Sequence, residues 1–341
     1  MTLQSRVVTP PVKSPVVGWW LEYYFFYVTL RQMSKGKKIF LIIFSIVAVL
    51  VIGLIGVAAK LYFDVSNSIN ETYQSVERDR EDRLRENDVD LSQQESFSVL
   101  LMGIDTGDLG RVEQGRSDTM MVATISPQDN QTTVVSIARD TYVDIVGHGT
   151  TDKINHAYAF GGAAMSMNTV EKFLDIPIDH YVSLNMEGLK ELVDAVGGIE
   201  VDNDLTFSKD GFDFTIGRTK LNGEQALAYS RMRYDDPNGD YGRQDRQRKM
   251  VEAIVKKVLS LDGVSQYQSI LNAVENNMKT DMSFDDMRTL AMNYRSAFQT
   301  IKQDQLQGEG FMQDGISYQR VSDEELNRVQ TILKDQLDIN N

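Results

Sequence analysis

Residues Ile39 to Ala59 form an unbroken run of apolar and glycine residues, relieved only by the hydroxyl of Ser45. A helix rises about 1.5 Å per residue, so a run of this length crosses about 30 Å, the hydrocarbon thickness of a bilayer. A helix of that length buried in a protein core would carry polar residues at a helical period. The run therefore predicts one transmembrane helix over 39–59. Arg31, Lys35, Lys37 and Lys38 precede it, whereas Lys60 and then Asp64 follow. The positive-inside rule puts the tail 1–38 in the cytoplasm and everything after Lys60 outside. A cleaved signal peptide would have a shorter apolar core and a small-x-small cleavage site, so the run reads as an uncleaved signal anchor. Upstream, Trp19, Trp20, Tyr23, Tyr24, Phe25, Phe26 and Tyr27 suit the inner membrane interface. Alternatively Met33 is the start, because Met33 to Lys38 followed by the apolar run makes a complete N-terminus.

Charge divides the chain at the same point. Residues 1–60 carry seven Lys/Arg and one Glu, and the remainder carries 28 basic and 48 acidic residues, for a total of −14. So acidic an external part excludes bulk nucleic-acid binding. There are no cysteines, hence no disulfides and no thiolate metal site. An external domain without disulfides needs a full-sized core, and the roughly 240 residues after Gln94 suffice for one. Between anchor and domain, 60–94 is polar, with a dense charge run from Glu77 to Asp90. From Val65 to Gln94 it has no Pro or Gly, and it is predicted to be a stalk or linker helix.

The pattern changes at Phe97. Phe97 to Met102 predicts a buried strand ended by Gly103, Thr119 to Ser126 a second strand, and Thr132 to Ala138 a third. Pro127 to Asn130 is a turn short enough to make strands two and three an antiparallel hairpin. If strand one also runs antiparallel to strand two, Asp105, Arg116, Asp118, Arg139 and Asp140 converge at one sheet edge. Helices are predicted over Asn155 to Leu174, interrupted near Gly161-Gly162, and over Met186 to Val196. Further helices begin at Asn222 and at Arg243, the last reaching about Leu259; short strands fall at His180 to Ser183 and Ile199 to Val201. Gly315 to Arg320 predicts an outer strand, and Ser322 to Glu325 a capping box for a C-terminal helix. Strands mixed with helices and opening on a hairpin argue for an α/β or α+β sandwich.

Arginines stand out against this acidic background. Arg231 and Arg233 share a side if their segment is extended, and Arg243 and Gln247 share one helix face. The planar guanidinium fork suits phosphate. His148, His156 and His180 show no zinc-binding spacing and read as structural.

Several stretches carry a resemblance. They are Gly103-Ile104-Asp105, Arg116-Ser117-Asp118-Thr119-Met120, Ser136-Ile137-Ala138-Arg139-Asp140-Thr141, Lys153-Ile154-Asn155-His156-Ala157-Tyr158 and Val193-Asp194-Ala195-Val196-Gly197-Gly198. They continue with Leu221 to Arg233 and with Asp240-Tyr241-Gly242-Arg243-Gln244-Asp245-Arg246-Gln247. In this order, behind a signal anchor, the chain resembles the LytR–CpsA–Psr family of cell-envelope enzymes. It departs at Ala138, where members often have proline, and at Val143, where some have a basic residue.

The resemblance implies an α/β/α sandwich with a central mixed, largely antiparallel sheet, preceded by one transmembrane helix. A catalytic domain over 95–262 is completed by helices and a strand over 263–341. The implied activity is transfer of an anionic glycopolymer, of teichoic acid or capsule type, from a polyprenyl-pyrophosphate carrier to a peptidoglycan acceptor through a phosphodiester. Magnesium (Mg2+), which prefers carboxylate and phosphate oxygens, would be held by Asp105 and Asp118. Arg116, Arg139, Arg231, Arg233, Arg243 and Gln247 would clamp the pyrophosphate, and Asp105 could also deprotonate the acceptor hydroxyl. The lipid needs an apolar pocket between sheet and helices. A pyrophosphohydrolase on the same carrier is the alternative enzyme. A transcriptional attenuator linked to the envelope is the alternative outside catalysis, with no direct nucleic-acid binding.

Overall fold

The computed structural model of the protein describes residue 60 and residues 72–79, 83–106, 115–260, 270 and 273–339. The tail over 1–38, the aromatic stretch and the anchor expected over 39–59 lie outside the described residues. Among the described residues, no helix is long and apolar enough to cross a membrane.

The core is a six-stranded sheet. Strand β1 (Phe97–Ile104) alternates its side chains between two buried faces, which is why it reads as a nearly continuous apolar run. Leu100, Met102 and Ile104 enter one core, and Phe97 and Val99 enter the other. Strands β2 (Ser117–Ser126) and β3 (Gln131–Ile137) form the expected hairpin, with Asn130 at φ 52° closing the turn. β1 pairs antiparallel to β2, Met102 opposite Met120, so the pairing on which the convergence depended is present. The strand does not end at Gly103. It bulges there and runs on to Ile104, and a Cβ at Gly103 would stand 3.0 Å from that of Thr119.

A small hairpin follows, β4 (Tyr142–Ile145) and β5 (Thr150–Lys153). Helix α1 (His156–Leu174) is broken at Gly161 and Gly162, the latter at φ 65°, where the glycine pair predicted an interruption. β6 (His180–Asn185) joins β1 in parallel, and Asn185 caps helix α2 (Met186–Ala195). β7 (Ile199–Asn203), the hairpin β8 (Phe207–Lys209) and β9 (Phe212–Phe214), and β10 (Gly217–Leu221) build a satellite layer. Helix α3 (Gly223–Arg231) starts in a full capping box between Asn222 and Gln225, and helix α4 runs from Asp240 to Leu259. β11 (Met278–Thr280), helix α5 (Phe284–Asn293), β12 (Thr300–Gln305), the hairpin β13 (Glu309–Gln313) and β14 (Ile316–Arg320), and helix α6 (Asp323–Leu337) complete the fold.

The strand order is β11-β6-β1-β2-β3-β12. Three neighbouring pairs are antiparallel and two, β1 with β6 and β3 with β12, are parallel. Leu174 of α1 with Val329 and Leu333 of α6 covers one face. Val251 of α4 and Leu290 of α5 pack on the other. The result is an α/β/α sandwich around a mixed sheet with an antiparallel majority. The C-terminal part supplies both edge strands, β11 and β12, and so completes the same sheet.

Two expectations need correction. Over 74–79 and 83–90 the stalk is not helical, and a short 3-10 turn follows at Leu91–Gln93. Its arginines reach into the domain instead of repeating along a helix. Arg78 binds Glu171 at 2.5 Å and the Ile178 carbonyl at 2.8 Å, and Arg85 binds Asp179 at 2.8 Å. Two arginines of the charge run thus pair with buried acids. The second correction concerns the C-terminus. The outer strand expected over Gly315 to Arg320 is present as β14, paired with β13, and the correction lies in the cap that follows it. The Ser322 hydroxyl caps α6 by accepting from the Glu325 N–H, but the Glu325 carboxylate does not return the bond: it binds the Gln307 N–H and Arg328.

Candidate active site

β6, β1, β3 and β12 all run one way, so their C-terminal ends meet at one sheet edge together with the start of β2. In open α/β sheets this is the edge where ligands bind. Asp105 follows β1, with its N–H bonded to the Arg116 carbonyl at 3.0 Å, and Asp118 is the second residue of β2. Arg139 follows β3. Its Nη1 lies 2.8 Å from Asp118 Oδ2, and its Nε lies 3.9 Å from Asp140. Asn155 Nδ2 donates to Asp118 Oδ1 at 3.4 Å, and Lys153 Nζ donates to Asp140 at 2.7 Å.

The second set comes from the α3–α4 connection. Arg231 is the last residue of α3, and Met232 leaves the helix extended and buried. Arg231 and Arg233 flank it, two apart across an extended residue, as the sharing of one side requires. Asp240, in the first turn of α4, gathers the cations. Its Oδ1 lies 2.6 Å from Arg243 Nη2 and 3.5 Å from Arg233 Nε, and Gln244 donates to its Oδ2 at 3.0 Å.

Burial sets the electrostatics. Burial would lower the Arg139 pKa, but Asp118, Asp140 and Asp240 outweigh it and raise it. Arg243 goes the other way. Its burial dominates, the Arg139 charge adds to the depression, and Asp240 offsets only part. A guanidinium in that state is stabilised by any further anion brought beside it. The Nε atoms of Arg139 and Arg243 are buried without a hydrogen-bond partner, as is Asn155 Oδ1. Leaving buried donors unmatched costs free energy that a bound oxyanion recovers.

These groups stand at a cavity of about 980 Å³ lined by Asp105, Asp118, Arg231, Arg243 and Gln247. Most of the rest of its wall is apolar, with Leu101, Val182, Leu189, Leu192, Met250, Val251 and Ile254 from the sheet, α2 and α4. Arg243 and Gln247 both face it from α4, as their four-residue spacing requires. Arg139 joins it through Asp118, and Arg233 through Asp240. Arg116 is exposed and is not among the described residues lining the cavity. Sequence reasoning assigned no role to Asp240, Asn155 or Lys153. The position of Asp240, three residues before Arg243 in a first helical turn, was the available signal. The three histidines serve local structure: His148 stacks on Phe160, His156 bonds Asp152, and His180 sits 3.4 Å from Asp281.

Among the described residues, no group of three or more His, Cys, Asp or Glu could hold a metal. Magnesium needs less, one or two carboxylates with phosphate oxygens and water. Asp105 and Asp118 line one cavity and offer only hard oxygen donors, so the residues fit that ion.

The fold is thus an α/β/α sandwich that carries an arginine-lined, mainly apolar cavity at the C-terminal ends of its strands. The chain belongs to the LytR_cpsA_psr family, whose defining pattern matches residues 60–335. It is 68% identical over 305 residues to the polyisoprenyl-teichoic acid–peptidoglycan teichoic acid transferase TagU of Enterococcus faecalis, covering 89% of this chain and 99% of that protein. Among solved structures it resembles TagU of B. subtilis, with 43% identity and a TM-score of 0.58 over 71% of this chain and 97% of that one. It also resembles TagT bound to LIIa-WTA, with 30% identity and a TM-score of 0.64 over 77% of this chain and 100% of that one.

Proposed function

We propose that the protein transfers an anionic glycopolymer of the teichoic acid class from a polyprenyl-pyrophosphate carrier to peptidoglycan, joining them by a phosphodiester. One observation carries this reading: arginines, with Arg243 buried and the Nε atoms of Arg139 and Arg243 unmatched, gather beside a large, mainly apolar cavity that Arg231 and Arg243 line. That pairing of surfaces suits one molecule with a pyrophosphate head and a long hydrocarbon tail. The likeness to TagU and to TagT supports the choice of polymer.

In this reading the acceptor hydroxyl gives its proton to Asp105 and its oxygen bonds to the phosphorus that bears the glycan. The bond from that phosphorus to the bridging oxygen breaks, and polyprenyl monophosphate leaves with the electron pair. Arg139, Arg231, Arg233 and Arg243 hold the charge that grows on the departing phosphate, and Gln247 holds the head in place. Asp118 orients Arg139 through their 2.8 Å contact. Magnesium, held by Asp105 and Asp118, supplies neutralisation of the pyrophosphate charge when bound. The catalytic unit lies outside the cytoplasm, tethered by Ile39 to Ala59, where its carrier and acceptor meet.

The test is transfer from a defined lipid-linked donor to peptidoglycan fragments by the full-length protein. Product should form only when acceptor is present, and EDTA should suppress it. Arg139→Ala should cut the rate roughly tenfold or more, the equivalent of one charge-assisted bond. Release of free polymer without acceptor would favour a pyrophosphohydrolase and overturn the transfer reading. Full activity in EDTA would remove the metal.

A further inference from the structure

The strand edge that carries the arginines has a second cavity, of about 590 Å³. It lies toward β12, and Gln305 and Gln307 contribute to its wall. Helix α4 stands between the two cavities. Arg243, Gln247 and Ile254 line the first, while Asp245, Arg248 and Lys249 line the second. At 3.6 residues per turn these two sets fall on opposite faces of α4. The Asp240–Arg243 turn, with its arginines, therefore sits at the end of the helix that divides the cavities.

The two linings differ in chemistry. Three acids and three bases face the second cavity, and each has an opposite charge beside it. Arg246 pairs with Asp236, Arg248 with Asp245, and Lys249 with Asp204 and Asp245. With its charges cancelled, this wall has no excess attraction for phosphate. Its remaining polar groups are amides and tyrosines, with Asn238 and Gln307 exposed to the opening. Such a surface recognises a neutral ligand rich in hydroxyl and amide groups.

The floor is also rigid. Arg248 is 5% exposed and donates to Ser136 Oγ at 2.9 Å and to Gln305 Oε1 at 3.2 Å, while its Nε has no partner. The Leu306 N–H bonds the Ser136 carbonyl at 2.9 Å. Ser136 lies three residues before Arg139 on the same stretch of chain, so the floor and the arginine are held by one strand end.

We propose that this second cavity is a subsite for the acceptor: it holds an N-acetylated saccharide unit of the peptidoglycan strand neighbouring the unit whose hydroxyl reacts. The assignment rests on the transfer reading above. A helix is about 10 Å across with its side chains, so a strand bound here reaches the arginines around the N-terminal turn of α4, from the side opposite the lipid. The cavity selects polymerised acceptor over a single repeating unit.

The experiment uses the full-length protein in detergent with two acceptors, an N-acetylglucosamine–N-acetylmuramic acid oligomer of about four disaccharides and a single disaccharide. The variant is Asn238→Ala with Gln307→Ala, two exposed side chains with no part in the core. KM for the oligomer should rise roughly tenfold, about 1.4 kcal/mol, with KM for the lipid donor and the rate on the disaccharide unchanged. A second arm measures oligomer binding by calorimetry, without donor. Binding should survive Arg139→Ala and weaken in the Asn238/Gln307 variant. That arm keeps the subsite separable from the transfer reading, since it reports on the cavity even if no transfer is observed. Equal losses on both acceptors, unaltered oligomer binding in the cavity variant, or no oligomer binding to the wild-type protein would each overturn the proposal.

Discussion

Removing the Glu171 carboxylate should destabilise the domain far more than an average charge deletion. Glu171 is on α1 with its side chain 2% exposed, and Arg78, from the segment before the domain, is 6% exposed. The carboxylate accepts from Arg78 at 2.5 Å, from the Ile178 N–H at 3.0 Å and from the Leu84 N–H. Glu171→Ala leaves a guanidinium buried beside an unmatched site, together with two backbone donors. Breaking one side of a buried pair costs about 3–5 kcal/mol, against about 0–1 kcal/mol for an exposed pair. In a domain of this size the melting temperature should fall by on the order of 10 °C. The double variant Arg78→Met/Glu171→Leu removes both charges and should recover much of the loss, because apolar replacements of a buried pair are often neutral. Guanidinium unfolding of the detergent-solubilised protein measures both, and trypsin provides an independent check. In Glu171→Ala the segment should release, exposing Arg78, Arg83 and Arg85 to cleavage. A loss below about 1 kcal/mol, or a double variant as unstable as the single one, would show that the segment is not docked through this pair.

Three further outcomes follow from particular groups. Arg231→Ala should lower transfer roughly tenfold or more with little change in melting temperature, and Arg231→Lys should rescue only partly, since lysine restores charge without the bidentate fork; wild-type rates in both would exclude Arg231 from the clamp. Ile254→Trp fills the apolar wall of the cavity and should raise KM for a long-chain donor more than for a short-chain one, measured in the same transfer assay. For His180, burial alone would lower the pKa, but Asp281, Asp179 and Asp286 outweigh it, so the folded pKa stands above 6.5. Its stabilising contribution is then complete below about pH 6.5 and is lost as pH rises through the folded value. Urea unfolding should accordingly show His180→Asn costing more stability at pH 6 than at pH 9.

What could be read in the sequence was what strand direction and helical period determine. A turn at Pro127 to Asn130 makes β2 and β3 antiparallel. With β1 against β2, Asp105, Asp118 and Arg139 must then share an edge, whatever their side chains do. The four-residue spacing of Arg243 and Gln247 put both on one face of α4. The unread part depended on contacts distant in sequence. Nothing local in the charge run from Glu77 to Asp90 distinguishes an arginine that faces water from one whose partner, Glu171, lies 93 residues away. Likewise the capping signature at Ser322 is sound for the hydroxyl, yet Glu325 is taken by the Gln307 N–H from across the fold.

Asp240 shows why composition of the site and its organisation are separate questions. The family-like motif names the arginines, but cations gathered at one edge repel one another, so Arg139 and Arg233 add to the depression of the Arg243 pKa that burial begins. One carboxylate with its side chain 9% exposed, reaching both Arg243 and Arg233, offsets that repulsion while leaving the inner Nε donors of Arg139 and Arg243 unmatched. Buried donors left unmatched in this way are stabilised by an anion brought beside them. Asp240→Asn keeps the shape and removes the charge. It should therefore loosen the positions of Arg233 and Arg243, lowering the turnover rate more than the affinity for donor, because misplaced donors fail first where charge develops in the transition state. An unchanged rate with weakened donor binding would instead make Asp240 a part of ground-state recognition alone.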